Sequence, residues 1–146
     1  MDEFKEQSAV ATAVANGNLE TISAFINAHD NWDTIEFSYE YTLLSLAAHR
    51  KQKKSMQLLL QHNPSPLAKN IALLKLLEDH AIDPLFVQLL LENGANANAG
   101  DRTDSVFALH KAATWPTSTC TELLVQHGAN VNAQMDDGNT PLHIRR

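Results

Sequence analysis

The phrase Leu-Leu-x-x-Gly-Ala returns along this chain at a nearly constant interval, and such a recurrence constrains a fold more than any single element does. It reads Leu90-Leu91-Glu92-Asn93-Gly94-Ala95 and Leu124-Val125-Gln126-His127-Gly128-Ala129, with weaker copies at Leu59-Leu60-Gln61-His62-Asn63-Pro64 and Phe25-Ile26-Asn27-Ala28-His29-Asp30. The second apolar residues stand at 26, 60, 91 and 125, giving steps of 34, 31 and 34. A second phrase opens a helix: Thr140-Pro141-Leu142-His143, Phe107-Ala108-Leu109-His110-Lys111-Ala112-Ala113 and Thr42-Leu43-Leu44-Ser45-Leu46-Ala47-Ala48. Its leucines, with Val10 in the first copy, lie at 10, 44, 109 and 142. A unit of this length holds two helices and buries its apolar stripe only against its neighbours, so the chain reads as an all-α repeat solenoid.

Local chemistry supports the division. Thr140 has the hydroxyl of an N-cap, and Pro141 suits the first helical position, where its missing N–H is not needed. Gly94 and Gly128 close second helices, where a left-handed residue without a Cβ is favoured. Asn63 is the next best residue for that conformation, although Pro64 directly after it disfavours the assignment. Ala47-Ala48 and Ala112-Ala113 are small enough for neighbouring helices to approach closely.

On these residues the chain resembles the ankyrin repeat family, over nearly its whole length and most specifically over Val106 to His143. The resemblance implies a single domain, 1–146, built as an ankyrin-like stack of helix–turn–helix units with short β-hairpin or loop fingers. The helix pairs are expected at about 5–29, 42–62, 69–93 and 105–127, with a partial fifth repeat over 138–146. It further implies that His110 and His143 bridge neighbouring repeats by hydrogen bonds.

The pattern breaks once. From closing residue to the next opening leucine the gaps are 18, 13, 18 and 17, so the junction between 60 and 73 is short and a hairpin is expected to be missing or stunted there. Pro64 and Pro66 within it cannot donate to a strand ladder. This third copy also carries Leu76-Leu77 where others have Ala-Ala.

Catalysis finds nothing to rest on. Seven histidines are present, but no two lie three or four apart, and there is no H-x-x-x-H or C-x-x-C spacing, so no metal is expected. His62 and His127 hold matching places at helix ends, which explains them more simply than ligation does. The one cysteine, Cys120, excludes an internal disulfide and reads as a buried or half-buried spacer. Five glycines form no phosphate loop, so no cofactor is implied and the chain is read as not an enzyme. A net charge of −6 argues against nucleic acid as partner, no apolar run approaches a membrane span, and the single thiol fits the cytoplasm. The basic run His49-Arg50-Lys51-Gln52-Lys53-Lys54 reads as a charged turn between helices, with phosphate or an acidic partner as the alternative.

The aromatic stretch Trp32 to Tyr41 alternates on a strand-like beat. Ile35 and Phe37 are expected to cover the helices, while Tyr39 and Tyr41 fall where the resemblance places contacts to a concave groove. The resemblance adds His49 and Arg50 in repeat 2, Thr103, Asp104, Val106, Thr114 and Trp115 in repeat 4, and Asp136, Asp137 and Asn139 in the last finger. These imply a noncatalytic module that binds another protein. The alternative is the targeting or substrate-recruiting piece of a larger multidomain enzyme or secreted bacterial effector, then acting in the host cytosol. The unfinished fifth repeat leaves an uncapped C-terminal end, at which self-association is expected.

Overall fold

The computed structural model describes residues 3–33, 35, 41–78, 83–99, 108–113 and 119–131. Eight helices stand among them: α1 (Glu3–Asn16), α2 (Leu19–Ala28), α3 (Leu43–His49), α4 (Lys53–Gln61), α5 (Pro66–Leu76), α6 (Pro84–Glu92), α7 (Ala108–Ala113) and α8 (Thr119–Gln126). No strand occurs among the described residues. The chain divides into two compact units, Met1–Ala72 and Leu73–Arg146, with the division falling inside α5.

In the first unit, α1 packs on α2 and α3 on α4, while α1 meets α3 and α2 meets α4. First helix therefore lies against first helix and second against second, as stacked copies require. Val10, Ala13 and Val14 of α1 share the core with Ile22, Phe25 and Ile26 of α2, and Leu43, Leu44, Ala47 and Ala48 of α3 with Met56, Leu59 and Leu60 of α4. Their three- and four-residue spacing puts each set on one helical face. Ala13 and Ala47 hold equivalent places 34 residues apart, where small side chains let α1 and α3 close up.

Each pair is joined by the same turn. Asn18 N–H donates to the Ala13 carbonyl at 2.8 Å around Gly17, and Gln52 N–H donates to the Ala47 carbonyl at 2.9 Å around Lys51. Gly17 (φ 76°) and Lys51 (φ 56°) are both left-handed, as a helix-ending motif of this kind demands. The opening phrase works as its chemistry suggests at Thr42. Its hydroxyl accepts from Ser45 N–H at 3.3 Å while Ser45 Oγ accepts from Thr42 N–H at 2.8 Å, a reciprocal capping box. The cap expected at Thr140 lies outside the described residues. Ser55 Oγ donates to the Val14 carbonyl at 3.2 Å, so a serine of α4 adds a bond to a backbone group in the last turn of α1 that otherwise accepts from Gly17 N–H at 3.4 Å.

At the short junction the chain passes from α4 through Asn63 and Pro64 directly into α5. Ser65 caps that helix, accepting from Ala68 N–H at 3.2 Å, and Pro66 takes the first position. The helix thus begins at Pro66 instead of the expected 69, because a proline directly after a serine cap starts a helix and need not break one. Asn63 adopts φ 54° in spite of Pro64, which is itself buried.

In the second unit, α6 and α7 both pack on α8. Leu73, Leu76, Leu77, Phe86, Val87, Leu90, Leu91, Leu109, Ala112 and Leu124 are buried there. Asp83 caps α6 by accepting from Leu85 N–H at 3.0 Å, with Pro84 next in line. Gly94 (φ 98°) and Gly128 (φ 93°) are left-handed. Ala95 N–H reaches the Leu90 carbonyl, and Ala129 N–H the Leu124 carbonyl, each at 2.9 Å. Ala108 N–H donates to the Ala99 carbonyl at 2.8 Å, tying the start of α7 to the end of the preceding turn.

Candidate functional site

Of the residues assigned to the binding surface, Tyr41, His49 and Arg50 lie among the described residues, and the structure brings them to the two ends of α3. The capping box at Thr42 fixes where that helix begins, so Tyr41 stands immediately before it and His49 closes it. The Tyr41 and His49 rings lie 5.0 Å apart, inclined at 34°. Tyr41 is half-buried, and His49 and Arg50 are exposed. Tyr39, Thr103, Asp104, Val106, Thr114, Trp115, Asp136, Asp137 and Asn139 lie outside the described residues, as do Phe37 and His143. Ile35 is half-buried. Trp32 is buried, which makes it a core residue of the first finger.

The residues that invited a chemical reading have structural positions. Cys120 is wholly buried on α8, five residues before the closing Val125, and Ser55 holds the same place five before Leu60. Burial, and secondarily the Asp83 carboxylate, push its thiol above the ordinary value. A thiol held protonated is a weak nucleophile. His29 donates through Nδ1 to the Phe25 carbonyl at 3.0 Å and stacks on the Phe25 ring at 4.2 Å. His62 and His127 both follow the last residue of a second helix and are exposed. His110 is 1% exposed, and among the described residues no buried side-chain nitrogen or oxygen lacks a hydrogen-bond partner. No group of three His, Cys, Asp or Glu among the described residues is placed to hold a metal ion, and no helix among them is long and apolar enough to cross a membrane.

One set of bonds was missed in the sequence. Asp33 Oδ2 accepts from Ser65 N–H at 2.7 Å, and Asn98 Oδ1 accepts from Asn130 N–H at 2.7 Å while its Nδ2 donates to the Gly128 carbonyl at 3.0 Å. Asp33 and Asn98 each stand seven residues after a closing apolar position, and Ser65 and Asn130 five after the next one. A side chain in one copy therefore clamps the backbone leaving the following copy. The available signal was an Asp or Asn at a constant offset from the ruler. In the second copy that offset falls on Leu67, exposed in the first turn of α5 and without an acceptor.

The ankyrin repeat family model, in three copies, matches residues 78–144. Residues 78–144 carry ankyrin repeats. The chain is 44% identical over 57 residues to one ankyrin repeat protein of Fowlpox virus (39% of this chain, 17% of that protein). With a second ankyrin repeat protein of the same virus it shares 28% over 106 residues (73% of this chain, 22% of that protein). With the palmitoyltransferase ZDHHC17 of Danio rerio the figure is 37% over 67 residues (46% of this chain, 10% of that protein). The chain thus spans less than a quarter of the length of these relatives. The fold is an all-α repeat fold of ankyrin type, and ankyrin repeats in general serve protein–protein interaction.

Proposed function

We propose that this chain is a noncatalytic module that binds a partner protein through the surface formed by its fingers and first helices. The observation that carries this reading is the division of labour in the second repeat. Leu43, Leu44, Ala47 and Ala48 of α3 are buried completely, while Tyr41, His49 and Arg50 stand at the helix ends with surface to spare. Amphipathic aromatics and arginines are good contact anchors. On the family resemblance alone, Tyr39, Thr103, Asp104, Val106, Thr114, Trp115, Asp136, Asp137 and Asn139 are assigned to the same role.

A pull-down with the intact chain, repeated with Tyr39→Ala, Tyr41→Ala and Trp115→Ala combined, tests the reading. The variant is expected to lose partner capture while its stability falls by less than about 1 kcal/mol, as for surface substitutions. A much larger loss of stability makes these residues core and sinks the assignment.

A second reading has one observation in its favour. A palmitoyltransferase shares this repeat segment, which amounts to 10% of that protein. On that reading the repeats recruit substrates for a catalytic domain elsewhere in a longer protein. The length of the native open reading frame separates the two.

A further inference from the structure

The chain's charge is unevenly distributed. Six of its eleven Lys and Arg, and none of its seventeen Asp and Glu, lie between residues 41 and 77, so that segment carries +6 and the remainder −12. Four of the six cations, Arg50, Lys51, Lys53 and Lys54, crowd into the turn between α3 and α4. All four are exposed, and none has an ion-pair partner among the described residues.

Nothing in the packing requires them. The equivalent turn between α1 and α2 reads Gly17-Asn18-Leu19-Glu20, with the glycine in the left-handed position, an Asn cap accepting from Thr21 N–H at 3.4 Å, and an acidic residue in the first turn of α2. Each of these choices favours the local backbone. The α3–α4 turn reverses all three. Lys51 takes the left-handed position, Gln52 caps α4 without a side-chain hydrogen bond, and Lys53 and Lys54 sit at the end of the helix whose dipole repels cations. Lys51, Lys53 and Lys54 are exposed, go against the local preference of the backbone and keep positive charge, which answers to something other than folding.

We propose that this turn, His49 to Lys54, docks an acidic segment of a partner protein, an inference that rests on the protein-interaction reading above. A short run of carboxylates fits the patch, since Arg50 offers a bidentate fork and the lysines offer point charges. Residues 1–40 of the same unit, with eight Asp or Glu against one Lys, disfavour longer or broader anions. A nucleic acid or an anionic bilayer extends well past the screening distance of about 8–10 Å and meets repulsion outside the patch. A short peptide contacts the patch alone.

The test is binding of a labelled peptide alternating Glu and Ser to the full chain, at low and at high salt. Comparison probes are the same peptide with Gln for Glu, phosphatidylserine vesicles, and a single-stranded DNA oligonucleotide. The acidic peptide is expected to bind at low salt and to weaken as salt rises, and the Gln peptide to bind negligibly. Combined Arg50→Gln, Lys51→Gly, Lys53→Gln and Lys54→Gln is expected to weaken acidic-peptide binding about tenfold or more. Should that variant fail to fold, Lys53→Gln with Lys54→Gln alone is expected to weaken it about threefold. Undiminished binding by the variants, or no binding by the parent chain, overturns the proposal. So does tighter binding of vesicles or oligonucleotide that depends on the same four residues. None of these outcomes touches the pull-down with the aromatic variant, which is read on different residues.

Discussion

The α1–α2 and α3–α4 turns share a backbone and little else. Each places a left-handed residue after a first helix, and each is closed by two backbone hydrogen bonds, the shorter of them 2.8 Å in one and 2.9 Å in the other. One is made of Gly, Asn, Leu and Glu, the other of Lys, Gln, Lys and Lys. The comparison teaches that the main chain and the core beneath it hold this turn, so the outward side chains are free to differ in chemistry. Repeats of one fold can thus present unlike surfaces.

The strongest way to break the comparison is to remove the shared core. Ile22 and Met56 stand 34 residues apart, each wholly buried one turn into its second helix. Ile22→Ala and Met56→Ala are each expected to lower stability by about 2–5 kcal/mol in chemical denaturation. A cheap loss at one site and an expensive one at the other means the two turns are not held alike.

A smaller effect comes from exchanging the left-handed residues. Gly17→Ala is expected to cost about 1–2 kcal/mol, because a Cβ disfavours φ 76°. The added methyl also comes within 3.3 Å of Gln52 Oε1, a flexible side-chain end that can move aside. Lys51→Gly is expected to stabilise by about 0.5–1 kcal/mol for the converse reason. Thermal melts of both variants check this, and a destabilised Lys51→Gly contradicts the conflict described for that turn.

The smallest expected effect sharpens the electrostatic side. Gln52→Asp supplies α4 with an acidic cap beside Lys53 and Lys54, and is expected to raise Tm by the equivalent of roughly 0.5–1 kcal/mol. Added salt is expected to reduce that gain. A gain that survives high salt comes from the cap hydrogen bond and not from charge.

Much of the fold was legible because its signals are local. Gly94 and Gly128 end helices where the repeated phrase put them, and Cys120 lies in the core. Other features resisted a reading by local preference. Asn63 is left-handed although Pro64 follows, since a buried Pro64 and the cap on α5 settle that junction together. Pro66 reads in the sequence only as a residue that cannot join a strand ladder, whereas after the Ser65 cap it opens α5. Of the residues proposed for binding, Tyr41, His49 and Arg50 are positioned by α3. The other assigned contacts fall outside the described residues and rest on the repeat pattern.

By itself the sequence determined the period and the closing turns at Gly94 and Gly128, and each of those turns depends on residues within a turn or two of one another. Only the tertiary structure decided that Asp33 holds Ser65, that Asn98 holds Asn130, and that Ser55 holds the Val14 carbonyl. Those partners lie 32, 32 and 41 residues apart. A polar side chain carries no mark of which distant backbone group it will meet. That choice is made when stacking brings the two within about 3 Å, where a hydrogen bond forms and the unpaired alternative is penalised.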